Sequence, residues 1–317
     1  MAEPRIAVII PCFNEAAAIT EVVTAFTAAL PTATIFVYDN NSTDATVELA
    51  RAAGAQTRPE FRQGKGHVVQ RMFGDVEADV YVMVDGDGTY QADAATAMVA
   101  RLLDEELDMI VGARVPETLT EGEVYRRGHD LGNRAFTGIA KVLFGSQFED
   151  IFSGYRVMSR RFVKSFPLRS AGFEIETEIT VHAVEVSAAC AEVPTRYGAR
   201  KEDSSSKLRS YRDGLRILRV AIGLFKDMRP MRFFGLLFLL FTVLAIGLGI
   251  PVFVDYLETG LVPRFPTAIL ASALQVLAFI FLTCGILLDS VSRSRREVRK
   301  LAYLGIPGPS AHRPSSV

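Results

Sequence analysis

Two aspartates one residue apart, Asp85 and Asp87, stand in the segment Asp85-Gly86-Asp87-Gly88-Thr89, directly after the apolar run Val80–Val84. Carboxylates at that spacing, where a strand stops, suit a hard divalent cation that takes further oxygens from a diphosphate. A calcium loop would want glycine at its sixth position, and Tyr90 is there instead. A plain Asp/Gly turn explains an isolated segment of this kind as well, so the reading depends on its neighbours. Another apolar run closes in Pro11-Cys12-Phe13-Asn14-Glu15, without the GxGxxG that a dinucleotide dehydrogenase needs. A third ends in Asp39-Asn40-Asn41-Ser42-Thr43-Asp44. Asp39 could accept hydrogen bonds from a base or ribose, and Asp44 reads equally as a residue that starts a helix. Lys65, between Gly64 and Gly66 at the start of a helical pattern, could meet a phosphate.

These residues need a scaffold that gathers several chain segments at one edge. Strand patterns run over Arg5–Ile10, Thr34–Tyr38, Val80–Val84 and Met109–Val111, and helical patterns over Ala16–Leu30, Asp44–Ala53, Lys65–Phe73 and Ala92–Leu103. Short apolar runs separated by helices predict an α/β architecture whose mostly parallel sheet is covered on both faces. Ligands of such sheets bind beyond the carboxyl ends of the strands, which is where the informative residues fall.

The chain of 317 residues has room for one α/β domain and a smaller part. A net charge of −1 gives no ground for a nucleic-acid partner. Cys12, Cys190 and Cys284 form no CxxC pair, which fits a reducing compartment. The opening residues have too short an apolar run for a signal peptide. From Met231 onward the composition turns densely apolar, with stretches at Met231–Val254 and Thr267–Leu288, each long enough for a helix to cross a bilayer. Arg209, Arg212, Arg216, Arg219, Lys226, Arg229 and Arg232 precede the pair, and Arg293, Arg295, Arg296, Arg299 and Lys300 follow it. The connector holds Asp255, Glu258 and Arg264, so the positive flanks predict a hairpin with both ends cytoplasmic. Between Lys207 and Arg229, apolar residues at helical spacing alternate with arginines. That pattern fits a helix in the headgroup layer as well as one packed on its own domain.

Together, Ile10 to Glu15, Asp39 to Thr46, Gly64 to Gly66 and the Asp85/Asp87 pair resemble glycosyltransferase family 2 with the GT-A fold. Gly112-Ala113-Arg114, Arg126-Arg127, Asn133, Asp150, Ser153-Gly154-Tyr155-Arg156, Gly172-Phe173, Glu176, Glu178, Glu192-Val193-Pro194 and Arg200 through Lys207 extend the match. In these the chain is similar to dolichol-phosphate mannose synthases and bacterial polyprenyl-phosphate glycosyltransferases, from about Ile6 to Leu208.

The resemblance implies a Rossmann-like GT-A domain over residues 1–207, an amphipathic juxtamembrane region at 208–230, two transmembrane helices within 231–290 and a cytoplasmic tail at 291–317. That tail is basic first, and disorder is expected past Leu301. A piece lacking everything from Met231 onward is expected to fold and bind donor. Pro11, Phe13, Glu15 and Asp39 would hold the nucleotide, and Asp85 and Asp87 a Mg2+ or Mn2+ ion with the diphosphate. Lys65, Glu176 and Glu178 would also contact the nucleotide sugar. Arg114 and Arg126 or Arg127 would face an acceptor phosphate, beside Asp87 as catalytic residues, while Arg200 and Lys207 would close over the phosphates. Two departures stand out. Thr89 replaces the glutamine that often supplies a further metal ligand, and Glu176-Thr177-Glu178 replaces the usual Gln–x–Glu.

The reaction implied is inverting transfer of a hexose from a UDP-sugar or GDP-mannose to undecaprenyl or dolichyl phosphate. It would take place at the cytoplasmic face of the cell membrane, by a multi-pass protein with both termini cytoplasmic. A homo-oligomer is compatible with this. A tethered transferase with a non-lipid acceptor and a non-catalytic nucleotide-sugar-binding scaffold are the alternatives. A processive synthase would need a QxxRW motif, and the chain has no Trp.

Overall fold

The computed structural model describes residues 3–116, 148, 150–167, 175–198, 222–223, 225–227 and 229–309. The chain forms two units, one from Met1–Arg127, Phe144–Leu208 and Val298–Val317, the other from Gly128–Leu143 and Arg209–Glu297.

In the first unit, β1 (Ile6–Cys12), β2 (Thr34–Asp39), β3 (Gln56–Pro59), β4 (Val80–Met83), β5 (Met109–Pro116), β6 (Arg156–Ser159) and β7 (Cys190–Tyr197) make one sheet in the order β3-β2-β1-β4-β6-β5-β7. All neighbours are parallel except at β6, which runs antiparallel to β4 and β5. The sheet is therefore mostly parallel, as the alternation predicts. β1 is buried along nearly its whole length because both faces are covered. On one face Val8, Ile10, Val80 and Val82 meet Val22, Val23 and Phe26 of α1 (Ile19–Ala29) and Met98 and Leu102 of α4 (Asp93–Asp104). The unit also holds α2 (Thr46–Ala52), α3 (Lys65–Asp75), α5 (Arg160–Ser165) and α6 (Ile175–Val186).

Three strands escape the apolar pattern, each for a local reason. β3 is four residues on the sheet edge with no apolar side chain but Pro59. β6 is short and opens with Arg156, a charged residue that is nonetheless fully buried. β7 carries Pro194 and is only partly covered. Helix α1 starts three residues later than the pattern, because Ala18 and Ile19 first turn back onto the Glu15 carbonyl.

The first unit also includes the last turns of the final helix. Tyr303 is buried and donates its hydroxyl to Asp108 Oδ2 at 2.5 Å, and the Arg161 guanidinium lies over its ring, 4.6 Å from the centroid. Arg299 pairs with Glu185. A Cβ at Gly308 would come within 2.8 Å of Arg161 Nη1. The tail expectation is corrected here. Helix continues to Leu304, beyond the point where disorder was expected, and the described residues run to Pro309; residues 310–317 lie outside them.

In the second unit, α7 (Pro230–Thr259) and α8 (Phe265–Leu304, its end belonging to the first unit) contain the two apolar stretches. At 30 and 40 residues both are long and apolar enough to cross a membrane. They form a hairpin turned by Gly260, whose φ of 68° suits glycine, and stitched by Phe234–Phe281, Phe241–Phe281 and Phe238–Phe279 ring contacts. Only 6% and 17% of their most apolar windows are buried, so they are not core helices of a globular unit. Of the juxtamembrane region, the described residues 222–223 and 225–227 are helical, and Arg229 and Pro230 lead into α7; the rest lies outside the described residues.

Candidate active site

The parallel strands carry β1, β2 and β4 to one edge, where their carboxyl ends release the Phe13–Glu15, Asp39–Asp44 and Asp85–Thr89 segments. The antiparallel β6 starts at that same edge, with Arg156 opposite Met83 of β4, so Ser153-Gly154-Tyr155 arrives beside Asp85.

Much of the Asp39–Thr46 segment is scaffolding. Asn14 Oδ1 accepts from Thr43 N at 2.8 Å, and Asn14 N donates to Ser42 Oγ at 2.9 Å. Asp44 takes the N–H groups of Thr46 and Ala16, both at 3.1 Å, so it starts α2 and latches the first loop to it. Burial opposes charge on Asp44, yet these hydrogen bonds prevail and hold its carboxyl below the ordinary range. Asn14 and Asn41, at φ 56° and 64°, take the left-handed conformation that asparagine tolerates. Asn40 Nδ2 holds the carbonyls of Glu60 and Arg62, and its Oδ1 accepts from Gly64 N at 2.7 Å, which fixes the start of α3. Asp39 stays at the strand end, accepting from Ser42 N at 3.2 Å.

Lys65, the first residue of α3, reaches Asp85 Oδ1 and Glu176 Oε1, each at 2.5 Å. Burial would weaken its charge, but the two carboxylates hold the ammonium well above the usual lysine range. On the other side of Asp85 lies Gly154, where a Cβ would fall 2.6 Å from Asp85 Oδ2. Gly86 likewise has no room for a side chain, its Cβ position being 2.6 Å from Cys12 Sγ. Asp87 is buried and accepts from the Thr89 hydroxyl at 2.6 Å and Thr89 N at 3.1 Å. The residue that stands where a further metal ligand was in question thus orients Asp87.

The geometry therefore brings together Asp85, Asp87, Lys65 and Glu176, with Pro11 buried at the end of β1, and Phe13 and Glu15 half-buried in the following loop. Arg114 is engaged otherwise than expected. It forms a two-pronged pair with Asp150, Nε–Oδ2 2.7 Å and Nη2–Oδ1 2.8 Å, and its guanidinium lies 5.5 Å from the centre of the Tyr197 ring. Burial disfavours the Arg114 charge, but Asp150 more than restores it and is itself held in its ionised form. Arg114 thereby ties β5 to the loop ahead of β6. Glu178 sits one residue beyond Thr177 on α6. Arg126, Arg127, Arg200 and Lys207, with Asn133 and Gly172-Phe173, lie outside the described residues.

Arg156 has a larger part than sequence reasoning gave it. Fully buried, it donates to the carbonyls of Ser153 and Ile151 at 3.0 and 2.8 Å and to Thr180 Oγ1 at 3.0 Å. Its fork gathers the loop that presses Gly154 onto Asp85 and anchors that loop to α6, which carries Glu176. Tyr90 supports the same loop by accepting from Gly154 N at 3.0 Å, and burial pushes its hydroxyl up to about 12.

Among the described residues no three His, Cys, Asp or Glu side chains converge as a metal cage. Asp85 and Asp87 nonetheless fit a divalent cation whose remaining oxygens come from a diphosphate, since hard ions of this kind are commonly held by one or two carboxylates plus substrate phosphates.

The model of the family "Glycosyl transferase family 2" matches residues 7–166, half of the chain. Glycosyltransferase AglJ of Haloferax volcanii is 34% identical over 252 residues, covering 79% of this chain and 81% of that protein. The dolichyl-phosphate hexose transferase of the same organism is 26% identical over 213 residues, 67% of this chain and 90% of that one. The crystal structure of Mycobacterium tuberculosis glucosyl-3-phosphoglycerate synthase with Mn2+ and UDP-glucose superposes with a TM-score of 0.56, at 21% identity, over 71% of this chain and 79% of that chain.

Proposed function

The chain belongs to glycosyl transferase family 2, and from that premise we propose that it moves a hexose from a UDP-sugar or GDP-mannose to a polyprenyl phosphate, undecaprenyl or dolichyl, at the cytoplasmic face of a membrane. That it is a glycosyltransferase with a GT-A-like sheet is the established part; donor, acceptor, metal and topology are the proposal. The observation that carries the lipid acceptor is the exposed apolar hairpin attached to the transferase unit. The dolichyl-phosphate hexose transferase among its relatives supports the same reading.

Asp85 and Asp87 would hold a Mg2+ or Mn2+ ion, which neutralises the charge gathering on a departing nucleoside diphosphate. Asp39, Pro11, Phe13 and Glu15 would bind the nucleotide. Glu176 and Glu178, at the start of α6, would contact the donor sugar. The acceptor, a phosphate monoester with a second pKa near ~6, is largely dianionic at neutral pH and needs no general base. It attacks the anomeric carbon in line, with inversion. Arg126 and Arg127 would face its charge, while Arg200 and Lys207 would close over the donor phosphates. Arg114, matched by Asp150, would shape the acceptor side rather than offer a free cation.

Domain limits of 1–207, 208–230, 231–290 and 291–317 remain the working division, with Val298 to Gly308 returned to the transferase unit. That return supports an even number of crossings, because the chain leaves and rejoins one unit around the hairpin. With labelled donor, metal and polyprenyl phosphate, the product should partition into organic solvent and release its sugar in mild acid. Label that stays aqueous, or attaches to protein, with every donor would refute the lipid acceptor and leave the transferase assignment standing.

A further inference from the structure

The two carboxylates that share Lys65 differ in access to solvent. The Asp85 side chain is 26% exposed and the Glu176 side chain 7%. Gly154 blocks the far side of Asp85, so this carboxylate cannot turn away from the lysine into the protein. The lysine is held from behind as well, since Gly64, at φ 129°, has its N–H fixed by Asn40. A small cation arriving from solvent therefore meets Asp85, and meets it already neutralised. Glu176 is different. Separated from Lys65 it would be a buried charge that has lost its ion-pair partner and keeps only the more distant attraction of Arg156, a costly state.

We propose that Lys65 is a resident counter-cation of the donor site, which bridges Asp85 and Glu176 until a divalent ion arrives and then yields Asp85 to it while keeping Glu176. This rests on the reading of Asp85 as a metal ligand. In this role Lys65 is a positioning residue. It keeps both carboxylates in place without their repelling one another, and it makes binding of the bare ion poor. A nucleoside diphosphate brings negative charge that compensates the displaced ammonium, so ion and nucleotide bind well together and weakly apart.

The test is Mn2+ binding to the full chain in detergent, followed through the free-ion EPR signal, with Mn2+ alone and with UDP or GDP added. Lys65→Met removes the competing charge at similar length. It should bind Mn2+ alone on the order of tenfold more tightly than the parent, and lose most of the gain that nucleotide gives. Glu176→Gln leaves the lysine to Asp85 alone and should weaken Mn2+ binding. Opposite signs matter, because mere loosening of the site would weaken both. If Lys65→Met does not fold, the Glu176→Gln result decides, and unchanged or tighter Mn2+ binding there overturns the proposal. Mn2+ binding by the parent with no gain in Lys65→Met overturns it as well. No Mn2+ binding by the parent with either nucleotide would remove the metal reading itself, and this inference with it.

Discussion

Asp85 is confined by Lys65 on one side and the backbone of Gly154 on the other, so its position depends on a residue that has no side chain at all. Gly154→Ala should push the carboxylate aside and cut donor turnover, while leaving the melting temperature within a few degrees; full activity in that variant would show that the contact is slack. Asp85→Asn and Asp87→Asn should each lower transfer by about 10²–10³-fold, the scale of losing a principal electrostatic stabiliser. Chelator should do the same reversibly. Away from the site, His182 is buried with Nε2 at 3.0 Å from Ser165 Oγ. Burial, helped by nearby Arg299, holds its imidazole down at about 4. The folded form resists a proton that the unfolded chain accepts below 6.5. Stability from this group is therefore complete above that pH and drains away as pH falls towards 4, by up to about 3 kcal/mol. Thermal unfolding between pH 7.5 and 5 should show the slope, and His182→Phe should flatten it.

At the scale of elements, the end of α8 changes what counts as the transferase domain. Asp108, completely buried, accepts from Ser159 Oγ at 2.9 Å, Arg161 Nε at 2.5 Å, Ala189 N at 3.2 Å and the Tyr303 hydroxyl. Tyr303→Phe removes one of these donors and should cost about 1–3 kcal/mol, visible as a lowered melting temperature. Ending the chain after Glu297 should cost more than ending it after Pro309, because only the first loses Arg299, Tyr303 and Gly308. The expectation that everything from Met231 onward is dispensable for folding is revised accordingly. A truncated chain as stable as the full one would show that this packing contributes little.

For the whole molecule, the hairpin reading makes a topological prediction. Reporters joined after Leu208 and after Val317 should read cytoplasmic, and one within residues 258–263 should read outside. A cytoplasmic signal from that loop would rule out a crossing pair. The sequence alone determined the parallel core of the sheet, the two long apolar helices and the strand-end carboxylates, because each is written in short-range periodicity or in adjacent residues. Continuous apolar runs declare β1, β2 and β4; alternation of helix and strand then sends their loops to one edge. Tertiary structure decided the remainder. β6 and its buried Arg156 carry no apolar signature, since that guanidinium is satisfied by carbonyls and a hydroxyl that only the fold assembles. The pairing of Arg114 with Asp150, the bridge from Lys65 to Glu176 and the docking of Tyr303 on Asp108 join residues distant along the chain. No local pattern encodes such contacts, because their energy exists only once the sheet has brought the partners together.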